Sequence, residues 1–204
     1  LIDSQAMNAF ATGRDPEHAA VAITTGLRQR LNRDELAGVM AHEIAHIRHY
    51  DIRLTMLVAT LVGLIVLACD VFLRSAFYGS LAGGSRRGGK GKGGGAMILI
   101  VIALVLAIVA PLLARLIQLA ISRQREYLAD AGAVELTRYP QGLADALAKL
   151  TSEDTPLESA NRATAHMYIV NPILNARGKQ NLSSMFSTHP SAQERIRRLI
   201  ALTR

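Results

Sequence analysis

Residues 32–51 read NRDELAGVMAHEIAHIRHYD, and within them His42, Glu43 and His46 form a His-Glu-x-x-His motif. On a helix, residues i and i+4 share one face about one turn apart. Two imidazoles at that spacing reach one metal ion. Glu43 follows His42 by one helical step of about 100°. That sets a carboxylate beside the ligand face, where a base acting on metal-activated water belongs. The surroundings predict a helix. Asn32 is a good N-cap, and Glu35 three residues on completes a capping-box pattern. Leu36, Val39, Met40, Ile44 and Ile47 recur at spacings of three and four, with no Pro and only Gly38 inside. The rival reading is a chance match on a core helix, and the capped, amphipathic context weighs against it. His49, three residues after His46, is turned away from the ligand face by a helical step.

The bulk properties narrow the class. The chain has 204 residues, is 50% hydrophobic and 4% aromatic, and carries a formal charge of +7. Its apolar excess is local. Cys69 is the single cysteine, so no intrachain disulfide can hold the fold. No nucleic-acid-binding motif or aromatic interleaving accompanies the basic charge, so nucleic acid is not expected as a partner. An anionic lipid surface is. The chain opens on Leu1 and is expected to lack its natural N-terminus.

Two strands are expected before the motif helix, MNAFATG at 7–13 and AVAITT at 20–25, joined by a turn at 14–18. His18 is a solvated residue of that turn. The hairpin covers the motif helix, and its edge is able to pair with an extended peptide.

After the motif come two apolar runs, residues 54–73 and 96–114. Twenty helical residues span about 30 Å, the hydrocarbon thickness of a bilayer. Only Asp70, near the end of the first run, is charged; Pro111 interrupts the second. Both are read as transmembrane helices, because so short a chain has too little protein to bury them. Between them lies a Gly/Arg/Lys-rich loop, residues 74–95, which lacks the Gly-Lys-Ser/Thr ending of a phosphate loop. The loop holds Arg74, Arg86, Arg87, Lys90 and Lys92; the opposite flanks hold Arg48, Arg53, Arg115, Arg123 and Arg125. With five on each side, the positive-inside rule does not set the orientation. Two spans nonetheless return the chain to the side it left.

The returning helix carries Glu126 and Asp130 at i and i+4. A catalytic zinc wants three protein ligands and one open position. Glu126 is a candidate third ligand, and Asp130 a candidate acceptor for the far nitrogen of a metal-bound histidine. By spacing alone the pair reads equally as solvated acids near Arg123, Arg125 and Arg138. Further on, residues 142–150 form a short helix with Leu143, Leu147 and Leu150 on one stripe. His166 sits in an apolar setting that suits a core residue. Pro190 opens a last helix, 190–202.

Together these residues resemble the HtpX-type membrane zinc metalloproteases, relatives of the CAAX prenyl proteases. The resemblance rests on NAFATG from Asn8, ELAGVMAHEIAH, the two spans, REYLADAG around Glu126 and THPSAQERI from Thr188. It implies a mainly α membrane protein with a small β-hairpin. Its zincin-like domain is split into residues 1–53 and 115–204 by the membrane hairpin, 54–114. It implies one Zn2+ per chain on His42, His46 and Glu126, with Glu43 as base and Asp130 hydrogen-bonded behind a ligand. It implies that Asn8, Ala9, Phe10 and Ala11 receive substrate backbone, and that His189, with Arg195 nearby, serves the oxyanion. It places the catalytic domain on the cytoplasmic face of a bacterial inner membrane, multi-pass, cleaving misfolded membrane polypeptides in quality control under stress. Two rivals stand beside it: a non-catalytic membrane scaffold with a structural zinc, and a prenyl-protein processing protease. Nothing in the sequence sets the oligomeric state.

Overall fold

A computed structural model of the chain describes residues 1–82, 93–152 and 190–203. The elements in order are β1 (Ala9–Gly13), a 3-10 turn (Pro16–His18), β2 (Ala19–Ile23), α1 (Thr25–Arg30), α2 (Arg33–Arg48), α3 (Asp51–Ala82), α4 (Gly93–Thr137), α5 (Pro140–Ser152) and α6 (Ala192–Ala201). Among the described residues the protein is mostly helical with one two-stranded antiparallel sheet, as expected for the fold class.

The chain divides into two compact units, Leu1–Thr55 with Leu119–Arg204, and Met56–Gln118. In the first, a core of Ala9, Leu27, Leu31, Val39, Ala41, Ala133, Leu143, Ala144, Ala146, Leu147, Leu150 and Leu199 joins β1 to α1, α2, α4, α5 and α6. Close helix contact is built into two glycines. A Cβ on Gly38 of α2 would lie 2.7 Å from the backbone nitrogen of Leu143, and one on Gly132 of α4 would lie 2.8 Å from the Ala45 Cβ. The capping box of α2 is present in both directions: Asn32 accepts from the Glu35 N–H, and Glu35 accepts from the Asn32 N–H at 2.8 Å. Lys149 of α5 adds a 2.7 Å ion pair to Glu35.

β1 pairs with β2 in the register Ala9 to Ile23 through Gly13 to Ala19. The strands are shorter than their sequence suggests because Thr24 turns to other work. Its hydroxyl accepts from the Asn8 N–H and caps α1 through the Leu27 N–H. That cap starts α1 where a strand end is expected; a helix of six residues carries too little periodicity to announce itself. Residues at the N-terminus bridge to the end of β2, with the Ile2 N–H donating to the Ile23 carbonyl at 2.8 Å. The last helix begins at Ala192 rather than Pro190, because Ser191 accepts from the Glu194 N–H and forms the cap.

In the second unit, α3 and α4 are long enough and apolar enough to cross a membrane. Only 6% and 11% of their most apolar windows are buried, whereas the core helix of a soluble domain is mostly buried. Met56, Leu61, Leu64, Leu67, Leu104 and Ile108 are among the large side chains left exposed. The helices fit transmembrane spans. Both run into the stretch expected as loop: α3 continues to Ala82 and α4 starts at Gly93. Asp70 and Arg74, one turn apart and 2.8 Å from each other, support that extension. The rest of the Gly-rich stretch, residues 83–92, lies outside the described residues.

Candidate metal centre

The site begins with α2. A helix buried along one face delivers His42 and Glu43 to the interior and leaves His46 half-buried. The two Nε2 atoms are 3.1 Å apart. α4, brought against α2 at Gly132, supplies Glu126. Its carboxylate oxygens lie 3.6 Å from the His42 Nε2 and 3.7 Å from the His46 Nε2. These three side chains form a group able to hold one metal ion. The donor set suits zinc. With zinc–ligand bonds of about 2.0–2.1 Å, donors of a tetrahedral site stand about 3.3 Å from one another, close to the separations found. Among the described residues the group has three members, and His49 is not one of them.

Each candidate ligand is held from behind. The His42 Nδ1 lies 3.0 Å from the Asp130 carboxylate. The His46 Nδ1 lies 2.6 Å from the Asp51 carboxylate. Arg195 of α6, 1% exposed, donates to Asp130 through Nε at 2.8 Å and through a terminal nitrogen at 2.6 Å, and its other terminal nitrogen is 3.0 Å from Glu126. Burial works against the Arg195 charge, but Asp130 and Glu126 outweigh it and raise its pKa. The Glu126 carboxylate thus has a permanent cation beside it.

The histidines titrate as a pair. Burial and Arg195 push His42 down, yet the hydrogen bonds to Asp130 and Glu126 prevail and raise it to about 9. Burial, then the neighbouring His42, lowers His46 to about 4. The two rings, with Nε2 atoms 3.1 Å apart, are thus driven in opposite directions. Glu43 is buried beside the ligands, and its charge acts on both His46 and Arg195.

The structure gathers His42, Glu43, His46, Glu126, Asp130 and Arg195 around one point. It gives Arg195 two carboxylates as partners in a buried setting. Asn8, Ala9, Phe10 and Ala11 lie at the start of β1, with Asn8 and Ala9 buried. His189 and His166 lie outside the described residues. Two contributors were not read as site residues from the sequence: Asp51, which ends the quoted stretch, and Arg125, which is paired with it. The signal available was the i, i+5 spacing of His46 and Asp51 across a helix end, a pattern with no fixed geometry.

The sequence matches peptidase family M48 over residues 1–203. A protease HtpX homolog of Caldanaerobacter subterraneus subsp. tengcongensis is 52% identical over 96% of this chain and 62% of its own length. The homolog of Thermoanaerobacter pseudethanolicus is 50% identical over 100% of this chain and 65% of its own. The chain spans less than two thirds of the length of these relatives. In fold it is similar to a crystal structure of S. mikatae Ste24p, with a TM-score of 0.55 at 23% identity over 96% of this chain and 43% of the other. With a metal-capable His-Glu-x-x-His helix completed by a distant glutamate, and a family match along nearly its whole length, the chain belongs to peptidase family M48.

Proposed function

We propose that the chain is the catalytic part of a membrane-bound zinc endopeptidase, hydrolysing peptide bonds of misfolded or damaged membrane proteins. The observation that carries the reading is the donor count. Among the described residues three ligands come together, and three leave one position of a tetrahedral zinc open, as catalytic sites do, whereas structural sites close all four. His42, His46 and Glu126 hold the ion. When bound, zinc supplies a Lewis acid that polarises the scissile carbonyl and makes a neighbouring water acidic.

The chain's own residues do the rest. Glu43 takes the proton of the attacking water and returns it to the departing amine. Arg195 and Asp130 keep Glu126 and His42 aimed. β1 offers the substrate an edge. The Thr24 N–H donates to the Asn8 carbonyl at 3.0 Å, and antiparallel ladders alternate. Ala9 and Ala11 therefore turn their backbone groups away from β2; Ala9 is buried, and Ala11 offers its groups to an incoming extended peptide. The apolar helices insert in the bilayer. A bacterial inner membrane, with the site on the cytoplasmic side of a multi-pass protein, is the placement that the resemblance to HtpX-type proteases implies.

The test is Glu43→Gln in the full-length protein in detergent, with an unfolded membrane protein as substrate. Zinc content stays at one per chain and turnover falls by at least about 10²-fold, the low end for a general base. Turnover at the wild-type level would sink the assignment.

A further inference from the structure

Asp51 is the first residue of α3, and its side chain is 7% exposed. A buried carboxylate is costly without partners, and this one has two. One oxygen lies 2.6 Å from the His46 Nδ1, and the other is paired with Arg125 of α4. Arg125 also donates to the His49 carbonyl at 2.8 Å, the residue that ends α2. The backbone is bent to make this meeting possible. Tyr50 has φ of 55°, a left-handed conformation that costs an ordinary residue about 1–2 kcal/mol. It brings the start of α3 back onto the last turn of α2.

We propose that Asp51, clamped by Arg125, is a positioning residue for His46 and ties this ligand to the first turn of α3 and to α4. The proposal rests on the zinc-site reading above. An imidazole has two nitrogens, and a proton fixed on one leaves the other bare. With Nδ1–H donated to Asp51, the His46 Nε2 is the bare nitrogen. It is also the one that lies 3.1 Å from the His42 Nε2 and 3.7 Å from Glu126. Asp51 thus selects the tautomer, orients the ring and makes the ligand nitrogen more basic. Arg125 holds the carboxylate and the end of α2 together. Because Asp51 and Arg125 sit on the two helices whose apolar stretches fit transmembrane spans, a change in either helix at this level reaches His46 directly.

The experiment measures zinc affinity of the full-length protein by competition with a chromogenic chelator, with the visible spectrum of the cobalt(II) form alongside. Asp51→Ala lowers affinity about 10- to 100-fold, the usual effect of removing a carboxylate behind a metal-bound histidine. Asp51→Asn, which keeps an acceptor, loses less and shifts the cobalt bands. Arg125→Gln lowers affinity by a smaller factor and adds nothing in the Asp51→Ala background. Leu147→Ala, a core control of comparable destabilisation, leaves the cobalt spectrum unchanged. Wild-type affinity in Asp51→Ala, or additive effects of Asp51→Ala and Arg125→Gln, would overturn the proposal. If Asp51→Ala does not fold, wild-type affinity in both Asp51→Asn and Arg125→Gln overturns it equally. A wild-type protein that takes up no zinc removes the metal reading itself, and this proposal with it.

Discussion

The guanidinium of Arg195 lies 3.0 Å from the carboxylate of Glu126, although 69 positions separate them in the chain. The same guanidinium makes two hydrogen bonds to Asp130. One buried cation therefore serves both Glu126, the proposed third ligand, and the carboxylate behind His42. Removing one partner of such a cluster leaves the others charged and uncompensated, which costs about 3–5 kcal/mol. Arg195→Ala is expected to lower the melting temperature of the metal-free protein strongly and to weaken zinc binding. Arg195→Lys recovers part of the charge and not the forked geometry. Calorimetry in detergent together with chelator competition checks both; an Arg195→Ala protein as stable as wild type would show that the cluster adds nothing.

Zinc uptake should displace a proton. A ligand nitrogen must be bare, and between about pH 4 and about pH 9 the metal-free chain holds one proton, on His42. Raising the pH over that range removes the competitor, so apparent affinity rises about tenfold per unit, as one displaced proton requires. It levels off above about 9, where His42 is already neutral, and steepens below about 4, where His46 is protonated too. Titration calorimetry in buffers of different ionisation enthalpy counts the proton. Release of none at neutral pH would contradict the raised pKa of His42.

The approach of α4 to α2 is set by Gly132. Its Cβ would stand 2.8 Å from that of Ala45, closer than carbon atoms pack. Gly132→Ala is expected to cost about 1–3 kcal/mol, as overpacked cores do. Gly132→Val should cost more and lower zinc affinity as Glu126 is moved away from the histidines. A Gly132→Val protein with unchanged affinity would mean that the helices have slack to spare.

The edge of β1 makes a position-specific prediction. Proline removes a backbone donor and is tolerated in a strand where that donor faces outward. Ala11→Pro should leave the hairpin intact and raise KM for an extended substrate several-fold. Thr12→Pro, on the paired side, should unfold the hairpin and lower the melting temperature. Equal effects at the two positions would refute the proposed edge.

What is local in this protein is legible in its sequence alone. The capping box at Asn32 and Glu35, the i, i+4 spacing of His42 and His46, and the two long apolar runs all follow from short-range periodicity and hydropathy. Those signals are carried by neighbours within a few residues, so they survive without a fold. The partnership of Glu126 with those histidines is different. The spacing of Glu126 and Asp130 fits solvated acids as well as ligands, and only likeness to a family tips it. It takes the packed chain to show that α4 meets α2 at Gly132, that Arg195 lies between Glu126 and Asp130, and that a left-handed Tyr50 returns Asp51 to His46. Each is a contact between residues far apart in the chain or across a bend. Burial and close packing determine such contacts jointly, and no single stretch of sequence encodes them.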